Sequence, residues 1–337
     1  MSELSPSTQN PPLIVGFVAN LMNAMRIEET AERLGYRMRW IERRSQLAAQ
    51  PPSAASAAIE RGSGASPAGS ASVAGQIAAP AAAVPAAQPP ASAGADTISA
   101  ASQPSHLAEA LTGPEAILIE RLAEWQPVLL IFDLGNSEIP WPEWIALLKS
   151  SPATRRIPVL CYGPHVDAEA LQAARAAGAE TVLPRSRFNA DLAELIPQLA
   201  RLPDTAAIAT ACQAPLSAEA LHGLELFNAG EYFEAHEVLE AAWNADLTPG
   251  RELYRALLQT AVAYLQIERA NYNGALKMFL RLRQWLAPLP DRCRGVDVAR
   301  LRQDAFAAQA HLQALGPERV AEFDRRLFQP VSYQAPE

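Results

Sequence analysis

The feature that most limits what this chain can fold into is a long stretch with almost nothing to bury. The 61 residues from Ser45 to Ser105 contain 22 alanines, only Glu60, Arg61 and Asp96 as charged groups, and no aromatic residue. Pro and Gly recur through it, so the helix propensity of alanine never acts over an unbroken run. Burial cannot offset the ordering entropy of such a segment, and the reading is a disordered Ala/Pro/Ser tether over 45–105. With ~150 residues as a common domain size, the rest of a 337-residue chain suits two domains. A shorter compositional break marks a linker at 202–216.

On either side of the tether, short apolar runs alternate with helical spacing. Leu13–Val18 is a run of buried-strand type, Met25–Leu34 has helical spacing that stops at Gly35, and Tyr36–Ile41 reads as a second strand. After the tether come helix Pro114–Trp125, strand Val128–Phe132, helix Trp144–Lys149 and strand Ile157–Cys161. Helix Ala168–Ala177, strand Thr181–Leu183 and helix Leu192–Leu199 complete the series. Alternation of this kind predicts an α/β domain, a doubly wound parallel sheet over 12–44 plus 106–201, with the tether as a surface insertion.

Residues 217–328 read instead as an all-α helical bundle, with stop signals at Gly230, Thr248-Pro249-Gly250, Asn271–Gly274 and Pro288–Gly295. A shift of 40 residues superimposes Leu224, Phe227, Tyr232, Ala235, Val238 and Leu239 on Tyr264, Ile267, Tyr272, Ala275, Met278 and Phe279. Two stacked helical hairpins account for that repeat. Charge is sorted as well: Glu219–Asp246 holds seven acids and no Lys or Arg, whereas Arg251–Asp304 holds ten bases and five acids. Complementary hairpins explain this blandly, and an anion site on the basic half explains it more sharply.

A net charge of -8 gives no overall attraction to nucleic acid or anionic membranes. No apolar run approaches the ~20 residues that cross a bilayer, and the start lacks a signal peptide's apolar core. Cys161, Cys212 and Cys293 are odd in number and widely spaced, which suits neither a disulfide framework nor a zinc motif, so a reducing cytoplasm is expected. No Gly-rich phosphate loop or nucleophile elbow occurs, and neither a cofactor nor a resident metal is expected.

Asp133 at the end of the third strand, Ile157-Pro158-Val159-Leu160 in the fourth, and Ala174–Glu180 leading to the fifth resemble the receiver domain of bacterial two-component response regulators. The resemblance implies a receiver/flavodoxin-like fold in which Asp133 holds the phosphoryl-acceptor position. Ala19 and Asn20 stand where the family has its acidic, magnesium-holding pair, and Arg185 stands in for its Lys. One carboxylate makes a poor magnesium site. The expectation is a pseudo-receiver in which Asp133 and Arg185 do no phosphotransfer. Asp133 can equally be a strand-end Asp that caps its own loop.

Leu226–Trp243, with Leu258–Ala263, Asn273-Gly274-Ala275 and Gly295–Val298 after it, is similar to the bacterial domain-of-unknown-function 309 family. That resemblance implies a compact helical bundle and no particular reaction. Within the motif, Tyr232, Ala235, His236, Leu239 and Trp243 share one helical stripe, with Glu240 four residues from His236. Three roles remain open for His236. It is a structural histidine bonded to Glu240 or to the opposing hairpin, or it lines a polar pocket with Glu237, Glu240, Arg251, Arg255 and Gln259. The third role is metal-assisted hydrolysis, since His236-Glu237-x-x-Glu240 resembles the HExxH zinc helix with Glu in place of the second His. The chain is therefore expected to be a cytoplasmic regulatory or binding protein rather than an enzyme. Its bundle would recognise a protein partner, a second copy of the chain included, or a small polar ligand; a metal-dependent hydrolase is the alternative.

Overall fold

A computed structural model describes residues 11–49 and 115–334. The tether expected at 45–105 lies mostly outside them. Its first five residues, however, form helix α2 (Ser45–Ala49) with Leu47 buried, so ordered chain runs past the expected boundary at residue 44.

The N-terminal module consists of β1 (Leu13–Phe17), α1 (Leu21–Arg33), β2 (Arg37–Trp40), α2, α3 (Ala116–Trp125), β3 (Leu129–Asp133), α4 (Trp141–Ser150), β4 (Val159–Gly163), α5 (Ala168–Ala176), β5 (Thr181–Pro184) and α6 (Arg185–Leu199). Its five strands are all parallel, in the order β2-β1-β3-β4-β5. This is the expected doubly wound sheet, and its order reverses between β1 and β3. Residues of β1 and β3 alternate between faces: Val15, Phe17, Leu130 and Phe132 join one apolar cluster, and Ile14, Leu129 and Ile131 join another with α1 and α6. Gly16 is the one gap in that alternation, because a Cβ there would lie 2.2 Å from the Trp40 ring.

Three helices begin earlier than periodicity predicts, α4 among them, at Trp141 rather than Trp144. α1 starts at Leu21 because Asn20 accepts from the backbone N–H of Asn23 at 3.1 Å and caps it. α6 starts at Arg185, directly after Pro184, although its apolar spacing is regular only later. The segment read as a linker, 202–216, is structured too: it contains α7 (Thr205–Ala211), and Ile208, Cys212 and Leu216 are buried.

The helical half comprises α8 (Ala218–Ala229), α9 (Tyr232–Ala245), a 3-10 turn at Pro249–Arg251, α10 (Glu252–Glu268), α11 (Tyr272–Leu286), a hairpin of β6 (Arg292–Cys293) and β7 (Val296–Asp297), and α12 (Val298–Leu315). Short turns make α8 to α11 successive antiparallel neighbours, as the 40-residue repeat implies. The half ends later than residue 328. Asn228 donates to the Val331 carbonyl (3.0 Å) and accepts from the Val331 N–H (2.7 Å), and the tail pairs with β7 through Tyr333.

The cysteine reading is corrected. Cys212 and Cys293, 81 residues apart in sequence, are joined in a disulfide, which leaves only Cys161 as a free thiol, buried in β4. Sequence separation concealed the pair because α7 folds back against the turn before α10. One apolar cluster also runs from the sheet through α3 into α11 and the rest of the helical half. Among the described residues no helix is long and apolar enough to cross a membrane.

Candidate functional site

At the C-terminal edge of the sheet, where the strand order reverses, Asp133 is buried with its carboxylate fully engaged. Oδ1 accepts from the Gly135 N–H (3.0 Å) and from Arg185 Nη2 (3.1 Å). Oδ2 accepts from the Tyr162 hydroxyl (3.1 Å) and from Asn23 Nδ2 (3.4 Å). Sheet register explains the tyrosine: Asp133 and Tyr162 are paired neighbours on β3 and β4. The Tyr162 ring stacks on Phe188 at 4.0 Å, which fixes its hydroxyl on the carboxylate. Burial, and then the adjoining Asp133 charge, push the Tyr162 phenol far up, so it acts as a standing donor. Asn20, in the place where an acidic pair was sought, is occupied in capping α1. A carboxylate paired with a guanidinium and three other donors has no free lone pair for Mg²⁺, so these residues do not fit that ion.

The second constellation lies on three consecutive helices of the bundle. Six buried side-chain atoms there make no hydrogen bond, two on each helix: His236 Nε2 and Trp243 Nε1 on α9, Glu252 Oε2 and Gln259 Oε1 on α10, and Asn273 Oδ1 and Trp285 Nε1 on α11. On α9 and on α10 the two residues are seven apart, two helical turns, and so share one stripe. Buried polar atoms normally find partners, and leaving one unsatisfied costs about 1–3 kcal/mol. Six such atoms fall on three neighbouring helices, one of them, Glu252 Oε2, ion-paired with Arg255 at 3.8 Å.

The residues expected to line a polar pocket divide accordingly. His236 is half-buried, and its Nε2 is bonded neither to Glu240 nor to the opposing hairpin, the two partners that the structural reading offered. Gln259 is only 3% exposed, with its carbonyl oxygen unpaired. Arg251 and Arg255 come together about Glu252, each with a nitrogen 3.8 Å from a carboxylate oxygen. Glu240 is half-buried on the same stripe as His236, whereas Glu237 is exposed and lies off it.

Trp243, Glu252, Asn273 and Trp285 were missed as site residues. Trp243 had a signal, being seven residues beyond His236; Asn273 was read as part of a turn. In fact Asn271 alone caps α11, accepting from the Gly274 N–H at 2.9 Å. Among the described residues no group of three or more His, Cys, Asp or Glu side chains is placed to hold a metal ion.

These buried polar atoms lie on a bundle of antiparallel helices. Residues 220–278 match the family described as domain of unknown function (DUF309), and that match covers α8 to the middle of α11, including His236, Gln259 and Asn273. No curated protein matches the chain.

Proposed function

We propose that the chain is a regulatory binding protein, in which a pseudo-receiver without phosphotransfer is coupled to a helical bundle that recognises a small polar ligand or a polar group of a protein partner. The observation that carries this reading is the set of buried polar atoms without a hydrogen bond on α9, α10 and α11. The closed Asp133–Arg185–Tyr162 cluster supports its first half, since a carboxylate held by four donors is a poor nucleophile toward a phosphodonor. The expectation of a reducing cytoplasm loses its cysteine argument with the Cys212–Cys293 bond, because disulfides persist mainly in oxidising compartments. The hydrolase alternative has no comparable observation in its favour: among the described residues, His236 and its neighbouring glutamates belong to no group of three or more metal-ligating side chains.

Gln259→Leu tests the reading. If Gln259 serves a ligand, the apolar replacement leaves urea stability unchanged or raises it by up to ~1 kcal/mol, because an unpaired buried amide is removed. A loss of about 2 kcal/mol or more would instead make Gln259 structural and defeat the reading. The first half is checked with a small phosphodonor and Mg²⁺: a base-labile adduct mapped to Asp133 would overturn it.

A further inference from the structure

Where the bundle meets the sheet module, five side chains stack as alternating guanidinium groups and indoles. The Arg156 guanidinium lies 4.1 Å from the centre of the Trp285 ring, and Arg255 lies 3.8 Å from the same ring. Arg255 also lies 4.6 Å from the Trp243 ring, and Arg251 lies 5.1 Å from that ring. The order is therefore Arg156, Trp285, Arg255, Trp243, Arg251. Arg156 comes from the turn before β4; the others come from the 3-10 turn, α9, α10 and α11.

Charge in the stack is far from balanced. Among the described residues the only carboxylate within 4 Å of Arg251 or Arg255 is that of Glu252, at 3.8 Å from each. Arg281 adds a further positive charge felt at Arg255. Burial pushes the Arg255 guanidinium down to about 10; Glu252, the strongest neighbouring charge, pulls it back up, and Arg156, Arg281 and Arg251 push it further down. The N–H donors of Trp243 and Trp285 are buried without an acceptor, and Trp285 is only 4% exposed. Stacking occupies the faces of the guanidinium groups and leaves in-plane N–H edges to fork onto oxygens, apart from Arg251 Nη1, which donates to the Asp246 carbonyl at 3.5 Å.

We propose that this junction binds a multivalent oxyanion, a phosphate- or polycarboxylate-bearing small molecule, at the edge of Trp285 between Arg156 of the sheet module and Arg255 of the bundle. The inference rests on the reading that the bundle binds a polar ligand, and it names that ligand's class and place. An anion there neutralises crowded cations and ties the two modules together, because its arginines come from both.

The test is titration of the full chain with inorganic phosphate and with citrate, against sodium chloride at matched ionic strength, followed by tryptophan fluorescence and by Tm. A saturable response to either anion, absent with chloride, is expected, and the two arms separate phosphate from polycarboxylate chemistry. Arg255→Gln should weaken binding by about tenfold or more, as loss of a charge-assisted hydrogen bond does. Arg156→Gln should do the same, and because Arg156 is exposed this variant keeps its fold. Equal responses to phosphate, citrate and chloride would overturn the proposal, as would unchanged affinity in Arg156→Gln. Binding that survives both arginine variants and disappears in Gln259→Leu would move the ligand onto the α9–α11 stripe, sinking this placement while the functional reading stands. No anion response together with a strongly destabilised Gln259→Leu would sink both.

Discussion

Arg294 donates to Asp246 Oδ2 at 2.6 Å, Thr248 Oγ1 at 2.9 Å, the Pro215 carbonyl at 3.2 Å and the Tyr254 hydroxyl at 3.2 Å. Its own N–H reaches the Cys212 carbonyl at 2.7 Å, next to the disulfide. To do this it takes a φ of +51°, rare for a side chain of its size, in the two-residue turn of the β6–β7 hairpin. Gly250 completes the fit, since a Cβ there would lie 3.0 Å from Arg294 Nη2. Arg294→Met keeps the bulk and strands the carboxylate of Asp246, so a loss of about 3–5 kcal/mol in urea unfolding is expected. A loss below about 1 kcal/mol would mean that Asp246 is readily rehydrated. None of this was legible in the sequence, where Arg294 is one base among ten in the basic half.

At the scale of elements, the contact of α3 with α11 and α12 carries a pH dependence. Burial raises the Glu120 carboxyl above its ordinary value, against a hydrogen bond from Gln313 and the charges of Arg121 and Arg283, which pull it down. A carboxyl raised on folding binds more protons folded than unfolded, so its contribution is full below the unfolded value and is lost as pH rises through the folded one. Glu120→Gln should therefore be more stable than the parent at pH 8, with the difference closing toward pH 4; a constant difference across that range would assign the effect to packing alone. The order of elements was readable because apolar runs of strand length alternate with helical spacing, and the 40-residue repeat announced the successive hairpins. What was hidden depended on partners distant in sequence. Helix α7 in the supposed linker and the Cys212–Cys293 pair each need a neighbour that only the fold supplies, whereas the Asn20 cap on the Asn23 N–H is local and Asn20 was read against the receiver's acidic pair instead. The site was half legible: the motif pointed to His236 and Gln259, but the indole partners of Arg251 and Arg255 sit on other helices.

For the whole molecule, the apolar cluster shared by sheet and bundle bears on how separable the two modules are. Gln284 donates to the Pro152 carbonyl across the same junction at 3.2 Å. We expect residues 205–334, which retain the disulfide and the tail bound by Asn228, to give a cooperative helical melt by circular dichroism. Its midpoint should lie below that of the bundle within the full chain, because removing α3 and Arg156 uncovers α11. Equal midpoints would show that the junction adds nothing to the bundle's stability.

The disulfide also decides how the molecule bears a load. Helices α8 to α11 all lie between Cys212 and Cys293, so the bond closes them into a covalent ring with the sheet module leaving at one side and α12 at the other. A pull applied between β1 and the C-terminal tail passes from sulfur to sulfur and bypasses the ring. The helices that carry His236, Gln259 and the stacked tryptophans stay off the path of tension until the bond is reduced, and only then do they become the part of the chain that extends.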